Sequence, residues 1–282
     1  MIKKSKYKMK LKGKKMNVFL YIIIFIMGTL FGSFYTLAVY RIPKKIDITH
    51  THSFCPNCNH KLGFIELIPV LSYIFLGGKC KECKQKIRPR YLILEILSGI
   101  TFVIIAYLFR IDAYNINVYT LIDFAFIVLY LAALFIIAGI DKENIKIEKS
   151  VLYYALLVCV AYIIYLCIMD HTSIYRYAMY LIAVIILLFI DGKKLKNEAK
   201  DSYAISILNL ILIMAMMTGE LATIGATVFT FVIILELYII NRVKFLSNKS
   251  RKEEKKILKD FPWGFYLCLG NIISMISIMT FI

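Results

Sequence analysis

"NVYTLIDFAFIVLYLAALFIIAGID", residues 117–141, holds one acidic residue, Asp123, before it ends on Asp141. A helix needs about 20 predominantly apolar residues to cross a bilayer. An isolated strand would leave its backbone groups unsatisfied there. This run is therefore a membrane span, and similar runs fill residues 17–40, 91–109, 151–169, 174–190, 203–218, 221–240 and 263–282, of which 174–190 and 203–218 are the shortest. With 60% hydrophobic residues in 282, the composition excludes an ordinary soluble domain. The expected fold is an all-α polytopic membrane protein of about eight transmembrane helices.

Eight crossings put loops 41–90, 141–150, 191–202 and 241–260 on one side, with 10, 3, 4 and 8 basic residues, whereas the opposite loops hold only Arg110. Cytoplasmic loops collect Lys and Arg. The chain is thus expected to be a multi-pass protein of the cell's inner membrane with its working face toward the cytoplasm. The net charge of +17 mainly reports this topology, with attraction to anionic membrane lipid as a consequence. The charge is split among loops, so no nucleic-acid partner is expected.

The expected organisation is a basic tail at 1–16, a first span at 17–40, a cytoplasmic loop domain at 41–90 and a transmembrane domain at 91–282. About 50 residues bury too little core to fold without a staple. Cys55, Cys58, Cys80 and Cys83 come as two C-x-x-C pairs 21 residues apart, and four thiolates suit tetrahedral zinc. On the reducing side of a membrane, metal is favoured over disulfides. Such a site is closed to water and so structural. His60 is an alternative ligand, and Cys159, Cys167 and Cys268 lie in apolar runs where packing explains them. Between the pairs, "FIELIPVLSYIFLG" (64–77) is apolar but too short to span, and reads as a surface-lying or domain-core segment.

The order of features around the cysteines is specific: "GTLFGSFYTLAVYRIP" (28–43), "ELIPVLSYIFLGGKC" (66–80) and "IRPRYLILEILSG" (87–99), with "FPWGFYLCLGNII" (261–273) near the end. In these blocks the chain resembles the prepilin peptidase family, intramembrane aspartyl peptidases that process type IV pilins and pseudopilins. The resemblance implies cleavage of a short basic leader after a Gly at the cytoplasmic membrane face. It also implies, for many members, methylation of the new N-terminus from S-adenosylmethionine. Its partners would be pilin-like precursors.

Aspartyl hydrolysis needs two adjacent carboxyls, one ionised and one protonated. By resemblance, Asp141 in "AGIDKENIKIEKS" matches the family's first catalytic Asp and Asp201 in "EAKDSY" the second, the Asp of Gly-x-Gly-Asp-x-Lys. Both Gly and the Lys of that motif are absent here, Tyr203 standing at the Lys position, and "IEKS" (147–150) replaces the usual Pro-Asp or Pro-Asn. Each Asp is also explained as a polar helix end, "KDS" being an N-cap signal. Asp191 is the rival for the second position. Glu95 and Glu236, near the cytoplasmic ends of their spans, are candidate site-support residues. A helix start favours an anion and a helix end disfavours it, so Asp201 is the expected ionised partner. The competing readings are a catalytically impaired scaffold of the same fold and a small-solute transporter. The transporter reading lacks the paired Gly or Pro breaks expected in its two halves and leaves the cysteines unexplained.

The tail "MIKKSKYKMKLKGKK" (1–15) carries eight Lys, yet the other loops demand that the first span begin outside. One crossing cannot meet both demands, and Met16 directly precedes "NVFLYIIIF". Translation is therefore expected to start at Met16. Intact mass of the product from its natural gene context should lack residues 1–15, and a product that keeps them overturns this.

Overall fold

The computed structural model describes residues 2–114, 117–169, 174–194, 199–247 and 261–281, and the side chains of all these except 2–15, 174, 192–194, 199–201 and 241–247. Its helices in chain order are α1 (Ile2–Arg41), the short α2 (Leu71–Phe75), α3 (Arg90–Leu108), α4 (Val118–Asn144), α5 (Lys149–Ile168), α6 (Ile174–Lys194), α7 (Ala199–Thr218), α8 (Glu220–Ser247) and α9 (Trp263–Phe281). Among the described residues there is no strand beyond two isolated bridges, Phe54 with Lys61 and Lys79 with Lys86.

Each of the eight runs read as a span is helical over its described residues, apart from single residues at some ends. Among the described residues six helices are long and apolar enough to cross a membrane: α1, α3, α4, α5, α8 and α9. The apolar part of α7, Ser202–Thr218, is shorter. The expected count of eight spans therefore has the support of length and composition for six. The fold is an all-α, multi-pass membrane protein.

The chain divides into two compact units, Met1–Val128 and Leu129–Ile282. In the first, α1 packs along α3. The backbones meet at Gly28 and Gly32 of α1, four residues apart, where an added Cβ would fall 2.8 Å from the Gly99 Cα and 2.7 Å from the Glu95 Cα. Lipid tails are as apolar as side chains, so close van der Waals packing holds such helices together, and small residues permit it. Phe31 and Phe102 fill the seam beside these glycines, their ring centroids 5.6 Å apart. At the far end, the Tyr21 hydroxyl donates to the Ile111 carbonyl and the Asn17 side chain accepts the Ala113 N–H, tying down the chain as it leaves α3.

In the second unit α9 packs on α8 and α7, and α7 also meets α5 and α6. Its interior carries a polar tie: the Tyr130 hydroxyl of α4 donates to Asn271 Oδ1 at 2.9 Å, and Asn271 Nδ2 donates to Thr218 Oγ1 at 3.0 Å. Asn271 is fully buried, so both ends of its amide need these partners.

A methyl group at position 32 meets backbone, which cannot swing aside. Gly32→Ala should destabilise the protein by about 1–3 kcal/mol, the usual range for overpacking, as read by unfolding of the detergent-solubilised chain. Unchanged stability would contradict the α1–α3 seam.

Candidate functional site

The loop between α1 and α3 is built on two copies of one turn. Cys55 N–H donates to the His60 carbonyl and Asn59 N–H to the Cys55 carbonyl; Cys80 N–H donates to Gln85 and Lys84 N–H to Cys80 in the same pattern. Asn59 and Lys84 stand at the same place in their turns, at φ 57° and 56°. Each turn directs two sulfurs inward, and the four Sγ atoms lie within 4.8 Å of one another. Cys55 and Cys83 are 3.9 Å apart and Cys58 and Cys80 4.0 Å. Zinc–sulfur bonds of about 2.3 Å at tetrahedral angles give edges of about 3.8 Å, so the donor set fits the ion. The Gln85 backbone N–H and the Asn57 amide draw the Cys83 thiol down to about 6, whereas burial and the three neighbouring thiols push Cys58 up to about 11; a bound metal ion would draw all four toward thiolate.

His60 is not a fifth donor. Its Nε2 lies 3.2 Å from Glu66 Oε2, which also accepts the Gly63 N–H at 2.8 Å. The Gly63 N–H, with His60 beside it, holds the Glu66 carboxyl below the usual carboxylate range. The histidine thus couples the first turn to the apolar segment that follows. At the loop's entry Arg41 is buried, and its guanidinium donates to the carbonyls of Asp47, Thr51 and His52 at 2.8, 2.8 and 2.9 Å.

Glu95 gathers the remaining parts. It sits in the second turn of α3, buried, and its Oε2 accepts the Val70 N–H at 2.7 Å. Val70 adopts φ 63° and ψ −53°, and Leu71 N–H closes a tight turn onto the Pro69 carbonyl. A β-branched residue rarely holds that conformation, and it costs about 1–3 kcal/mol. It aims the Val70 N–H at the carboxylate. Ser33 of α1, next to Gly32 at the α1–α3 seam, neighbours the same carboxylate. The blocks Gly32-Ser33, Pro69-Val70 and Arg90 to Glu95 thus converge on one side chain. Glu95 supports the loop, and it belongs to the first unit.

Asp141 lies in the second unit, near the end of α4, with no exposed surface. Its Oδ1 accepts the Tyr203 hydroxyl at 2.8 Å and its Oδ2 the Phe265 N–H at 3.0 Å. Tyr203 in turn accepts the Trp263 N–H at 3.1 Å. Trp263 opens α9, so the carboxylate faces the positive end of that helix. An added Cβ at Gly264 would come within 3.1 Å of Asp141 Oδ2, so glycine there leaves room for the carboxylate. Lys142 lies over the Phe265 ring, 4.3 Å from its centroid.

Asp141 thus meets the first turn of α9 as well as the end of its own helix, and the expectation that Asp201 is the ionised partner weighed only the latter. Asp201 opens α7, and its side chain lies outside the described residues. Asp191, the rival, is buried in α6, ion-paired with Lys149 and accepting the Ser202 hydroxyl at 2.8 Å. Ser202 and Tyr203 are adjacent, so the start of α7 touches both carboxylates. Glu236 is exposed on α8 and takes part in none of these hydrogen bonds. The sequence reading missed Tyr203 as a partner of Asp141; the only signal was its place where the resembled motif has Lys.

Residues 26–109 match the family described as the bacterial Peptidase A24 N-terminal domain. The chain is similar to the prepilin leader peptidase/N-methyltransferase of Vibrio cholerae, 38% identical over 98 residues, covering 32% of this chain and 37% of that protein. It is similar to the protein of that name from Klebsiella pneumoniae, 35% identical over 91 residues, covering 30% and 40%. For the Bacillus subtilis protein the figures are 42% over 80 residues, covering 28% and 32%. The chain thus spans between 32% and 40% of the length of these relatives. The matched family region contains the four cysteines and Glu95 and ends before Asp141. No solved structure matches the chain.

Purified protein should hold about one zinc per chain, as closed four-thiolate sites do. Cys80→Ser should release it and open residues 41–90 to protease while the spans stay protected. Full zinc content in that variant would place the metal elsewhere.

Proposed function

We propose, from the match of residues 26–109 to the bacterial Peptidase A24 N-terminal domain, that the chain is a membrane aspartyl endopeptidase. It removes the basic leader of type IV pilin-like precursors after a Gly, at the cytoplasmic face of the inner membrane. The observation that carries this beyond the matched region is the seat of Asp141: a buried carboxylate with one hydrogen bond on each oxygen, held between α4, α7 and α9.

Asp141 and Asp201 form the pair. Asp201 lies two residues before Tyr203, the hydroxyl partner of Asp141, whereas Asp191 is already engaged by Lys149 and Ser202. The ionised member of the pair takes a proton from water as its oxygen adds to the scissile carbonyl. The protonated member hydrogen-bonds that carbonyl, and the proton taken up then passes to the leaving amine. Zinc on Cys55, Cys58, Cys80 and Cys83 would staple the loop domain and, with four thiolates, has no open position for chemistry. S-adenosylmethionine would donate the methyl group for the second activity in the relatives' name. No Gly-rich nucleotide loop occurs in 41–90, so only cleavage falls to named residues.

The altered motif "EAKDSY" (198–203) favours a second reading, an impaired scaffold of the same fold. Both are tested by incubating the detergent-solubilised chain with a pilin precursor whose Lys-rich leader ends in Gly, and measuring its mass. Leader loss is expected, and Asp141→Asn and Asp201→Asn should each abolish it without impairing insertion. Asp191→Asn should lower stability and keep cleavage. Activity in Asp201→Asn with none in Asp191→Asn would reverse the pairing, and an intact precursor with zinc-loaded wild type would favour the scaffold.

A further inference from the structure

The segment between the two cysteine turns folds as a 3-10 turn over Phe64–Leu67 followed by α2. Its apolar side chains point outward: Phe64 is 85% exposed, Ile65 73%, Ile74 60% and Phe75 78%. On α1, the span-forming Phe19 and Ile22 are 62% and 51% exposed, so the segment is bared as fully as a helix that crosses the bilayer. Its polar groups turn the other way. The Glu66 carboxylate is taken up by His60 and Gly63, and the Tyr73 hydroxyl donates to the Ile87 carbonyl. A contiguous apolar face of this kind, with its polar atoms withdrawn, marks a surface that is covered in use.

The depth of the segment identifies the cover. Its Val70 N–H is bonded to Glu95, the sixth residue of the spanning helix α3, about 7.5 Å from its start at 1.5 Å per residue. The polar layer of a bilayer is about 5–8 Å thick on each side, so the segment sits at the height of that layer. Side chains suited to a membrane boundary occur at the adjoining helix ends. At the end of α1, Lys44 Nζ lies 3.7 Å from the centre of the Tyr40 ring, and at the start of α3, Arg90 lies over Tyr91. Residues 41–90 hold ten basic residues against three acidic, which suits anionic headgroups.

We infer that the 64–75 segment is a lipid-binding surface: it lies in the headgroup layer with Phe64, Ile65, Ile74 and Phe75 directed into the acyl boundary, and so holds the cysteine turns against the membrane. The partner is the bilayer itself, in preference to a substrate helix or a second copy of the chain.

The test is photochemical and involves no cleavage, so it stands or falls apart from the peptidase reading. The full chain carrying p-benzoylphenylalanine at position 64 or 75 is reconstituted in vesicles of phosphatidylethanolamine and phosphatidylglycerol, irradiated and weighed intact. Both side chains are exposed, so the probe displaces no packing. Lipid adducts at 64 and 75 several-fold above those at position 50, an exposed polar site, are expected, with no change when a pilin precursor is added. Yields no higher than at position 50, chain-to-chain products, or diversion of the adducts onto added precursor would each overturn the inference.

Discussion

One hydrogen bond fixes the first unit: the Val70 N–H on the Glu95 carboxylate. A buried carboxylate is costly unless its oxygens are satisfied, and here a backbone amide donates to one of them. The amide reaches Glu95 only because Val70 accepts a strained conformation. The path of the loop and the height of the apolar segment follow from this contact. Replacing Glu95 by an apolar residue of similar size would remove the reason for the turn as well as the charge.

The spans were legible because crossing a bilayer imposes a length and a composition that a single chain displays openly. The four-cysteine cluster was legible because its members are near neighbours in sequence and their spacing is set by turn geometry. Glu95 stood out in a matching block, yet its partners did not, since Ser33 and Val70 are brought to it only by tertiary packing. His60 looked like a spare ligand until Glu66 was seen to hold it. The seat of Asp141 was hidden for the same reason: its donors lie 62 and 124 residues away. Helix-end reasoning applied to α4 alone could not register the first turn of α9.

The second unit keeps two carboxylates out of water by different means. Asp191 is neutralised by a lysine, and a buried pair of that kind chiefly fixes geometry, since the cost of desolvation offsets much of its attraction. Asp141 has hydroxyl and backbone donors and no cation hydrogen-bonded to it among the described residues. Neutral donors orient a carboxyl in either protonation state, whereas a lysine commits it to one. Of the two, Asp141 is the better suited to chemistry that requires a proton to come and go.

The two equivalent cysteine turns also set an order of events during synthesis. Cys55 and Cys58 leave the ribosome soon after α1, but a metal ion on them could not be enclosed until Cys80 and Cys83 follow, and Cys83 precedes the first residue of α3 by only seven positions. For most of that interval the first pair is an open two-thiolate site beside a helix already delivered to the bilayer. Closing the loop between Cys58 and Cys80 costs only about 3 kcal/mol of chain entropy, well below what four thiolates gain from zinc. Enclosure of a metal ion by all four would therefore nearly coincide with the arrival of α3, and without it the insertion machinery would meet an unfolded hinge between two helices that must pack glycine to backbone.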